Sequence, residues 1–377
     1  MGRREDFYKI MRHEQPDNLI LDLGGNPLST MEGMSANKLL DYLGYKPESD
    51  QYPEFGKTRR IDQRIRDFLD IDTVSVGTIL TPYDSLYQQV SKKEYIDEWG
   101  IKRTFDGMYW DNVHSPLKGT TIDDLKNYRW PNPDSIDFKL LESYKEQAKN
   151  YYENTDYIIC GEHPVYGIFE LGCWMCGFDD YLMKLIVDPD YIKYFSEKVI
   201  DYQRAITEIY YREVGPYIHF TSSGDDFATQ NSMFMSVDMF DENIKPYLKE
   251  RVSYTKQFTD AYFLHHSCGS VHDLIPSLID CSVDILNPIQ PTNELMKPKR
   301  LKDDFGKDIV FHGGLDTQSV LPFGNDKSIG EAVSELIQQM NIDGGYIFAA
   351  AHNIQEDVPP ENVISMFKWA RKLGKKK

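Results

Sequence analysis

Residues 261–290, AYFLHHSCGSVHDLIPSLIDCSVDILNPIQ, hold two short apolar runs joined by a segment whose apolar residues have helical spacing. The first run, 261–268, ends in histidine and cysteine, and the second, 284–290, ends in asparagine and glutamine. Runs this apolar suit strands that are buried on both faces, and a helix between two such strands is typical of a parallel β-α unit. The stretch therefore predicts an α/β fold.

The same alternation of a short apolar run and a longer helical segment recurs along the chain. Helical spacing is clear in segments such as 178–213 and 328–341. Eight units of this kind predict a (β/α)8 barrel of the TIM type, and a doubly wound open sheet is the main alternative. The eight predicted strands are residues 18–24, 72–78, 156–162, 217–225, 261–268, 284–290, 308–315 and 345–353.

No linker rich in glycine, serine or proline interrupts this alternation, so we expect residues 1–377 to form a single domain. Residues 1–17 form a polar lead-in that favours helix. Residues 79–155 form a long insertion with segments rich in tyrosine and tryptophan, and we expect this insertion to cap the barrel mouth.

Composition narrows the class of protein. The chain has 42 basic and 60 acidic side chains, a balance of −18, which argues against a protein that binds the phosphate backbone of a nucleic acid. The first twenty residues are charged throughout, and no apolar run approaches the roughly 18 residues of a membrane helix. We therefore expect a cytoplasmic protein without a membrane partner. Its five cysteines favour reduced thiols or metal ligands over disulfides.

In a barrel of this kind the active site lies where the strands end, because the loops that follow the strands converge there. Polar and ionisable side chains stand at almost every predicted strand end. They are Asp22, Glu162, His163, Asp225, Asp226, His265, His266, Cys268, Asn287, Gln290, Asp316, His352 and Asn353.

The sharpest local signal is the pair His266 and Cys268. Residues two apart on an extended chain point the same way, and an imidazole beside a thiolate makes half of a zinc site. A buried structural cysteine next to a satisfied histidine is the alternative interpretation. For a third ligand, His352 follows a strand whereas Cys281 precedes one, so His352 is predicted at the functional mouth and Cys281 at the opposite face.

Other residues at or near strand ends also have structural interpretations. Cys173 and Cys176 have CxxC spacing, but we expect them to pack the start of a helix because no second CxxC accompanies them. Asp225 and Asp226 suit a general base, a substrate anchor or a helix cap. Glu162 and Asp316 can equally bond backbone at a strand end, and His163, His265 and His272 are expected to be structural. No phosphate-binding GxxxxGK[ST] loop and no GxSxG elbow occurs.

Several longer segments resemble the uroporphyrinogen decarboxylase superfamily over about residues 5–373. The segments are PDNLILDLGG, GDDFATQNSMFMSVDMF, LHHSCGSVHDLIPSLIDCSVDILNPIQP, FHGGLDTQ and GGYIFAAAHNIQEDVPPENV. Within that superfamily the HxCG segment is similar to the zinc-dependent, cobamide-linked methyltransferases. The arginine-rich, RQAGRY-type motif of the true decarboxylases is absent.

The resemblance implies a β/α barrel that binds zinc through His266, Cys268 and a later residue near the last strand. In the methyltransferases this later residue is a cysteine, and here His352 stands in its place. Replacing a thiolate with an imidazole raises the charge of the zinc–ligand unit from about neutral to about +1. A cationic centre polarises the oxygen or nitrogen of a methylated compound better, and activates a bound thiolate less well.

These points predict a zinc-dependent methyltransferase that removes a methyl group from a small methylated substrate, with methylation of a thiol left open. The methyl group would pass to a corrinoid. Since the sequence has no DxHxxG-type cobalamin loop, a separate corrinoid protein is expected to dock over the barrel mouth. A decarboxylase of porphyrin-like substrates and a metal-free ligand-binding barrel remain the alternatives.

Roles follow for the individual residues. Asp226 and Glu162 are the predicted catalytic groups, and His266, Cys268 and His352 the predicted zinc ligands. The residues predicted to contact substrate are Asp22, Asp225, Gln230, Asn287, Gln290, Asp316 and Asn353.

Overall fold

A computed structural model describes residues 2–46, 58–106 and 110–376. Within these ranges the strands are β1 (Met31–Glu32), β2 (Thr58–Arg59), β3 (Thr73–Val76), β4 (Gln88–Ser91), β5 (Glu94–Ile96), β6 (Lys102–Phe105), β7 (Trp110–His114), β8 (Ile158–Glu162), β9 (Phe220–Gly224), β10 (Tyr262–His266), β11 (Ile285–Asn287), β12 (Val310–His312) and β13 (Tyr346–Ile347).

The α-helices of the same ranges are α1 (Arg3–Met11), α2 (Gly33–Tyr42), α3 (Gln63–Leu69), α4 (Ile122–Lys126), α5 (Phe138–Asn154), α6 (Ile168–Cys176), α7 (Phe178–Val187), α8 (Pro189–Val214), α9 (Val237–Asn243), α10 (Lys245–Thr255), α11 (Ile275–Asp280), α12 (Pro298–Phe305), α13 (Val320–Phe323), α14 (Asp326–Met340) and α15 (Pro360–Leu373). None of them is both long enough and apolar enough to cross a membrane.

A curled parallel sheet forms the centre of the molecule. Its seven strands pair in the order β13, β12, β11, β10, β9, β8 and β3. The predicted strand 18–24 closes the ring between the two edge strands. The Asp22 N–H donates to the carbonyl of Phe348 on one side, and the Asp72 N–H donates to the carbonyl of Leu21 on the other. The predicted TIM-type barrel is therefore confirmed, and the alternative of an open sheet is not. The segment around Leu21 pairs with its neighbours through isolated bridges rather than as a regular strand.

Alternation along each strand divides the barrel interior into an apolar layer and a polar layer. The segment 18–24 and the strands β8 to β12 each place a residue in one buried apolar cluster. These residues are Ile20, Cys160, Phe220, Leu264, Ile285 and Val310. Two residues further toward the carboxyl end, the side chains on the same face are Asp22, Glu162, Ser222, His266, Asn287 and His312. The sequence period of two thus places a ring of polar groups directly above the apolar core.

Helix α1 closes the opposite end of the barrel. Phe7 and Ile10 are fully buried in the same apolar cluster as the barrel interior. The guanidinium of Arg3 pairs with Asp72, which immediately precedes β3, at 2.8 Å. The helical lead-in predicted for residues 1–17 is therefore a plug at the amino ends of the strands.

The long connection between β3 and β8 differs in part from the predicted insertion 79–155. Strands β4 to β7 form a separate antiparallel sheet, which fits an insertion. Helix α5, however, is the crossover helix that joins two parallel barrel strands, so the inserted part ends before Phe138. The inserted sheet reaches the helices above the strands, where the Asn112 amide donates to the carbonyl of Trp174 at 3.0 Å.

The predicted helix 178–213 is two helices, α7 and α8. Proline cannot donate a backbone hydrogen bond inside a helix but fits the first helical turn, and Pro189 begins the second helix. The Asp188 side chain accepts a bond from the Tyr191 N–H and so caps that helix.

Candidate metal centre

Three side chains converge at the carboxyl end of the barrel. The ligand atoms of His266, Cys268 and His352 all lie within 4.8 Å of one another. His266 Nε2 is 3.2 Å from Cys268 Sγ, and the two imidazole rings are 5.7 Å apart between centroids. His266 is the last residue of β10, at the middle of the sheet, and His352 lies in the loop after the edge strand β13, so curling of the sheet brings the ligands together.

The donor set fits zinc. In a tetrahedral zinc site, bonds of about 2.0–2.3 Å place nitrogen and sulfur ligands roughly 3.5 Å apart. Burial and, to a smaller extent, the adjacent His266 lower the pKa of His352 to about 4, so its imidazole is neutral at pH 7 and has a free lone pair. Burial also raises the pKa of the Cys268 thiol, and Asp226 adds to that effect. A bound divalent ion is what would hold this thiol as a thiolate.

The loop that carries Cys268 is fixed by two polar side chains. Asp226 Oδ1 accepts a bond from the Cys268 N–H at 2.7 Å, and Gln290 Oε1 accepts one from the Gly269 N–H at 2.7 Å. Gly269 has a φ of +87°, and a Cβ there would lie 2.4 Å from the carbonyl oxygen of Thr229. Only glycine fits this turn, which aims the thiol at the histidines.

A chain of buried hydrogen bonds runs from His266 across the barrel. His266 Nδ1 is 2.5 Å from Asn287 Oδ1, Asn287 Nδ2 is 2.6 Å from His312 Nδ1, and His312 Nε2 is 2.7 Å from Asp22 Oδ2. Asn287, His312 and Asp22 are fully buried. Although burial would raise the pKa of Asp22, hydrogen bonds from His312, Ser29 and Thr73 hold it below its usual value.

Two cavities meet at the three ligands. The inner cavity, of about 400 Å³, contains His266 and His352 in its wall. The outer cavity, of about 460 Å³, contains Cys268 and His352. A metal bound by these residues would therefore face both cavities.

The inner cavity is acidic and aromatic. Glu162, Glu170 and Asp226 line it, together with the edge-to-face pair Tyr166 and Trp174, whose ring centroids are 5.3 Å apart. Burial raises the pKa of Glu162 to about 7. Burial also raises the pKa of Glu170 well above its usual value, with further contributions from Asp226 and Asp225. Glu162 is thus able to carry a proton near neutral pH, and the pKa of Glu170 is shifted in the same direction.

The predicted substrate contacts divide into two groups. Gln230, Gln290 and Asp316 line the outer cavity. The other four, Asp22, Asp225, Asn287 and Asn353, line neither of these two cavities. Their side chains are buried and engaged within the protein. Asp225, for example, accepts from the N–H groups of Phe169 and Glu170 and caps α6, and Asn353 accepts from the Thr30 N–H.

Six other cysteines and histidines singled out in the sequence make contacts outside the three-ligand group. Cys173 and Cys176 lie buried on α6, and Cys281 lies before β11 with its thiol directed at the carbonyl of Lys245. His265 faces away from the barrel interior and stacks on Phe227 at 5.5 Å. His163 Nε2 bonds Thr255, and His272 lies between Asp273 and Asp304.

Sequence reasoning missed His312, Glu170 and Trp174. His312 could have been found from the sequence. In VFH at 310–312 an apolar residue lies two places before a polar one, and the same pattern occurs in LHH at 264–266 and ILN at 285–287. Glu170 and Trp174 lie on α6 and enter the cavity only through the tertiary packing of that helix.

One solved structure agrees with this architecture over nearly its whole length. The structure is similar to that of a methyltransferase from Methanosarcina mazei, with a TM-score of 0.68 and 15% sequence identity over 99% of both chains. It also matches xylanase 10B from Thermotoga maritima, with a TM-score of 0.45 and 11% identity over 99% of this chain and 98% of that chain. No curated protein matches the sequence.

The family comparison covers the part of the chain that carries the site. Residues 119–373 match the family described as Uroporphyrinogen decarboxylase (URO-D), and this range includes all three converging ligands and more than half of the chain. The resemblance inferred from the strand-end motifs is thereby confirmed, and the chain belongs to the uroporphyrinogen decarboxylase family.

Proposed function

We propose that this protein is a zinc-dependent methyltransferase that moves a methyl group from a small methylated substrate to the corrinoid of a separate protein. The observation that carries the proposal is the convergence of His266, Cys268 and His352 between two cavities at the barrel mouth. The proposed catalytic groups are Asp226 and Glu162, and the proposed outer-cavity contacts are Gln230, Gln290 and Asp316.

The three ligands would hold zinc, which when bound supplies a Lewis acid for the heteroatom that loses the methyl group. His352 and His266 contribute no negative charge, so a single thiolate leaves the centre cationic. Asp226 Oδ1 lies 3.6 Å from His266 Nε2 and holds the Cys268 backbone, which orients the ligand loop. Glu162, with a pKa of about 7, suits proton exchange with the demethylated product in the inner cavity.

The cavity chemistry argues against decarboxylation of a porphyrin-like substrate. Such a substrate carries several carboxylates, which require basic side chains for recognition. Among the described residues, neither cavity is lined by lysine or arginine, whereas Glu162, Glu170, Asp226, Asp316 and Asp357 all contribute acidic groups. The mouth therefore suits a neutral or cationic substrate better than a polyanion.

Methyl transfer can be measured with free cob(I)alamin as the acceptor and methanol, anisole and dimethylamine as probe donors. We expect the zinc-loaded protein to form methylcobalamin from at least one oxygen or nitrogen donor, and Cys268→Ala to abolish the reaction. Cys281→Ala is the matched control, because that thiol lies outside the site, and it should leave the rate unchanged.

The direction of transfer is tested by X-ray absorption at the zinc edge with coenzyme M added. We expect one sulfur ligand, from Cys268, before and after the addition. A second zinc–sulfur contact on adding the thiol would show that a thiol is the natural zinc-bound partner, and the proposed demethylation would then be wrong.

A further inference from the structure

The hydrogen-bonded chain from His266 to Asp22 has a definite polarity. The Asp22 carboxylate only accepts, so His312 donates to it from Nε2. Asn287 Nδ2 faces His312 Nδ1, which therefore accepts, and Asn287 Oδ1 faces His266 Nδ1, which therefore donates. This order of donors leaves His266 Nε2 without a proton, on the side of Cys268.

We propose that Asp22, His312 and Asn287 are positioning residues that set the tautomer of His266, so that Nε2 presents its lone pair to the metal. The inference rests on the proposed function, because it concerns a ligand of the proposed zinc centre. A histidine that binds a metal usually donates its other ring N–H to a group that fixes its tautomer and orientation. Here the carboxylate that sets the tautomer lies three side chains away, on the far side of the barrel.

The hydrogen bonds around Asp22 require its side chain to accept at both oxygens, and this fixes the direction of the hydrogen-bonded chain. Its Oδ1 accepts from the Gly25 N–H at 2.8 Å and from the Thr73 hydroxyl. Its Oδ2 accepts from the Ser29 hydroxyl at 2.5 Å and from His312. All four bonds point toward the carboxylate, and the Gly25 N–H is a backbone donor that cannot become an acceptor.

An Asp22→Asn substitution should therefore reverse the whole chain without changing the size of the side chain. The new NH₂ cannot face the Gly25 N–H, so it must occupy the Oδ2 side. There Ser29 can rotate its hydroxyl, and His312 must accept at Nε2 and carry its proton on Nδ1. Asn287 must then turn its oxygen toward His312 and its NH₂ toward His266, which moves the His266 proton to Nε2.

The direct test is nitrogen NMR of metal-free protein labelled with ¹⁵N at histidine, with the His266 signals assigned by their loss in His266→Gln. We expect a proton on His266 Nδ1 in the wild type and on Nε2 in Asp22→Asn. Competition with a chromophoric chelator should show zinc binding about 10–100-fold weaker in Asp22→Asn.

Asp6→Asn is the matched control. Asp6 is also buried, accepts from the Asp17 and Asn18 N–H groups, and lies on α1 at the opposite end of the barrel. This variant should keep the wild-type tautomer and a zinc affinity within about twofold of the wild type. If Asp22→Asn does not fold, Asn287→Ala replaces it and should give a mixture of both His266 tautomers, because it deletes the partner of Nδ1.

The outcomes separate this inference from the proposed function. A wild-type tautomer in Asp22→Asn overturns the inference, and so does a loss of zinc affinity no larger than that of Asp6→Asn. If the wild type binds no zinc but the tautomer reverses, the proposed function fails while the positioning role stands. If the wild type binds zinc and the tautomer does not change in Asp22→Asn, the positioning role fails while the proposed zinc site stands.

Discussion

Glu162 ends β8 and carries a carboxyl group into the inner cavity. Burial raises its pKa and outweighs the opposing effects of Arg60 and of a hydrogen bond with Ser75, so that the pKa is about 7. A carboxyl whose pKa is higher in the folded than in the unfolded protein holds its proton more tightly when folded. Its ionisation therefore opposes folding above that pKa, and stability should fall as the pH rises from about 4.5 to about 7.

The first prediction is that Glu162→Gln removes this part of the pH dependence. At pH 5 the wild type has a neutral side chain, so the two metal-free proteins should have similar free energies of unfolding. At pH 8 the variant should be the more stable, as measured by urea denaturation. Equal free energies at pH 8 would show that the Glu162 carboxylate is not penalised by burial.

Single residues at strand ends were predictable from the sequence, but their partners were not. The period of two identifies His266 and Asn287 as polar residues above an apolar layer, and glycine, histidine and aspartate mark where each strand stops. The contact of Asp22 with His312 joins residues 290 positions apart. It depends on the register of eight paired segments, which the local pattern does not contain.

Helix α6 shows how an element links the barrel wall to the cavity. The first turn of α6 lies next to the carboxyl end of β9, because the two oxygens of Asp225 accept hydrogen bonds from backbone N–H groups of that turn. The helix then places Glu170 and Trp174 in the wall of the inner cavity. The sequence predicted a capping role for Asp225 as one alternative, for the helix that follows it, whereas the capped helix comes from an earlier part of the chain.

The second prediction concerns this cap. In Asp225→Asn the new NH₂ must face one of two backbone N–H donors, so the free energy of unfolding should fall by about 1–3 kcal/mol. Asp137→Asn is the control, since one oxygen of Asp137 accepts from both Lys139 and Leu140 and an amide oxygen can replace it. Its loss should be a few tenths of a kcal/mol. Equal losses in the two variants would contradict this account of the cap.

In the molecule as a whole, the buried side chains of α1 and the candidate metal site lie at opposite ends of one barrel. Phe7 and Ile10 fill the amino end, and the proposed metal ligands lie at the carboxyl end. The barrel and its helical lead-in were predictable from eight apolar runs and a polar, helix-prone start. The division between α7 and α8 at Pro189 was overlooked, and the crossover role of α5 was hidden because its tyrosines and charged residues resemble the inserted sheet before it.

The third prediction tests this separation. Phe7→Ala should lower the free energy of unfolding by about 3–5 kcal/mol, because the side chain is fully buried inside the barrel. Tyr8→Ala, at a neighbouring side chain that is 40% exposed, should cost much less. Folded Phe7→Ala protein should bind zinc as the wild type does. A loss of zinc from the folded variant would show that the two ends of the barrel are coupled.

The proposed function requires that His266, Cys268 and His352 hold one metal ion, and the metal content of the purified protein decides whether they do. Plasma mass spectrometry on protein purified without a His tag should find about one zinc per chain in the wild type and in Cys281→Ala. The Cys268→Ala and His352→Ala variants should lose it while remaining folded. A wild type without zinc, or a Cys268→Ala variant with its full complement of zinc, would show that these three residues do not form a zinc site.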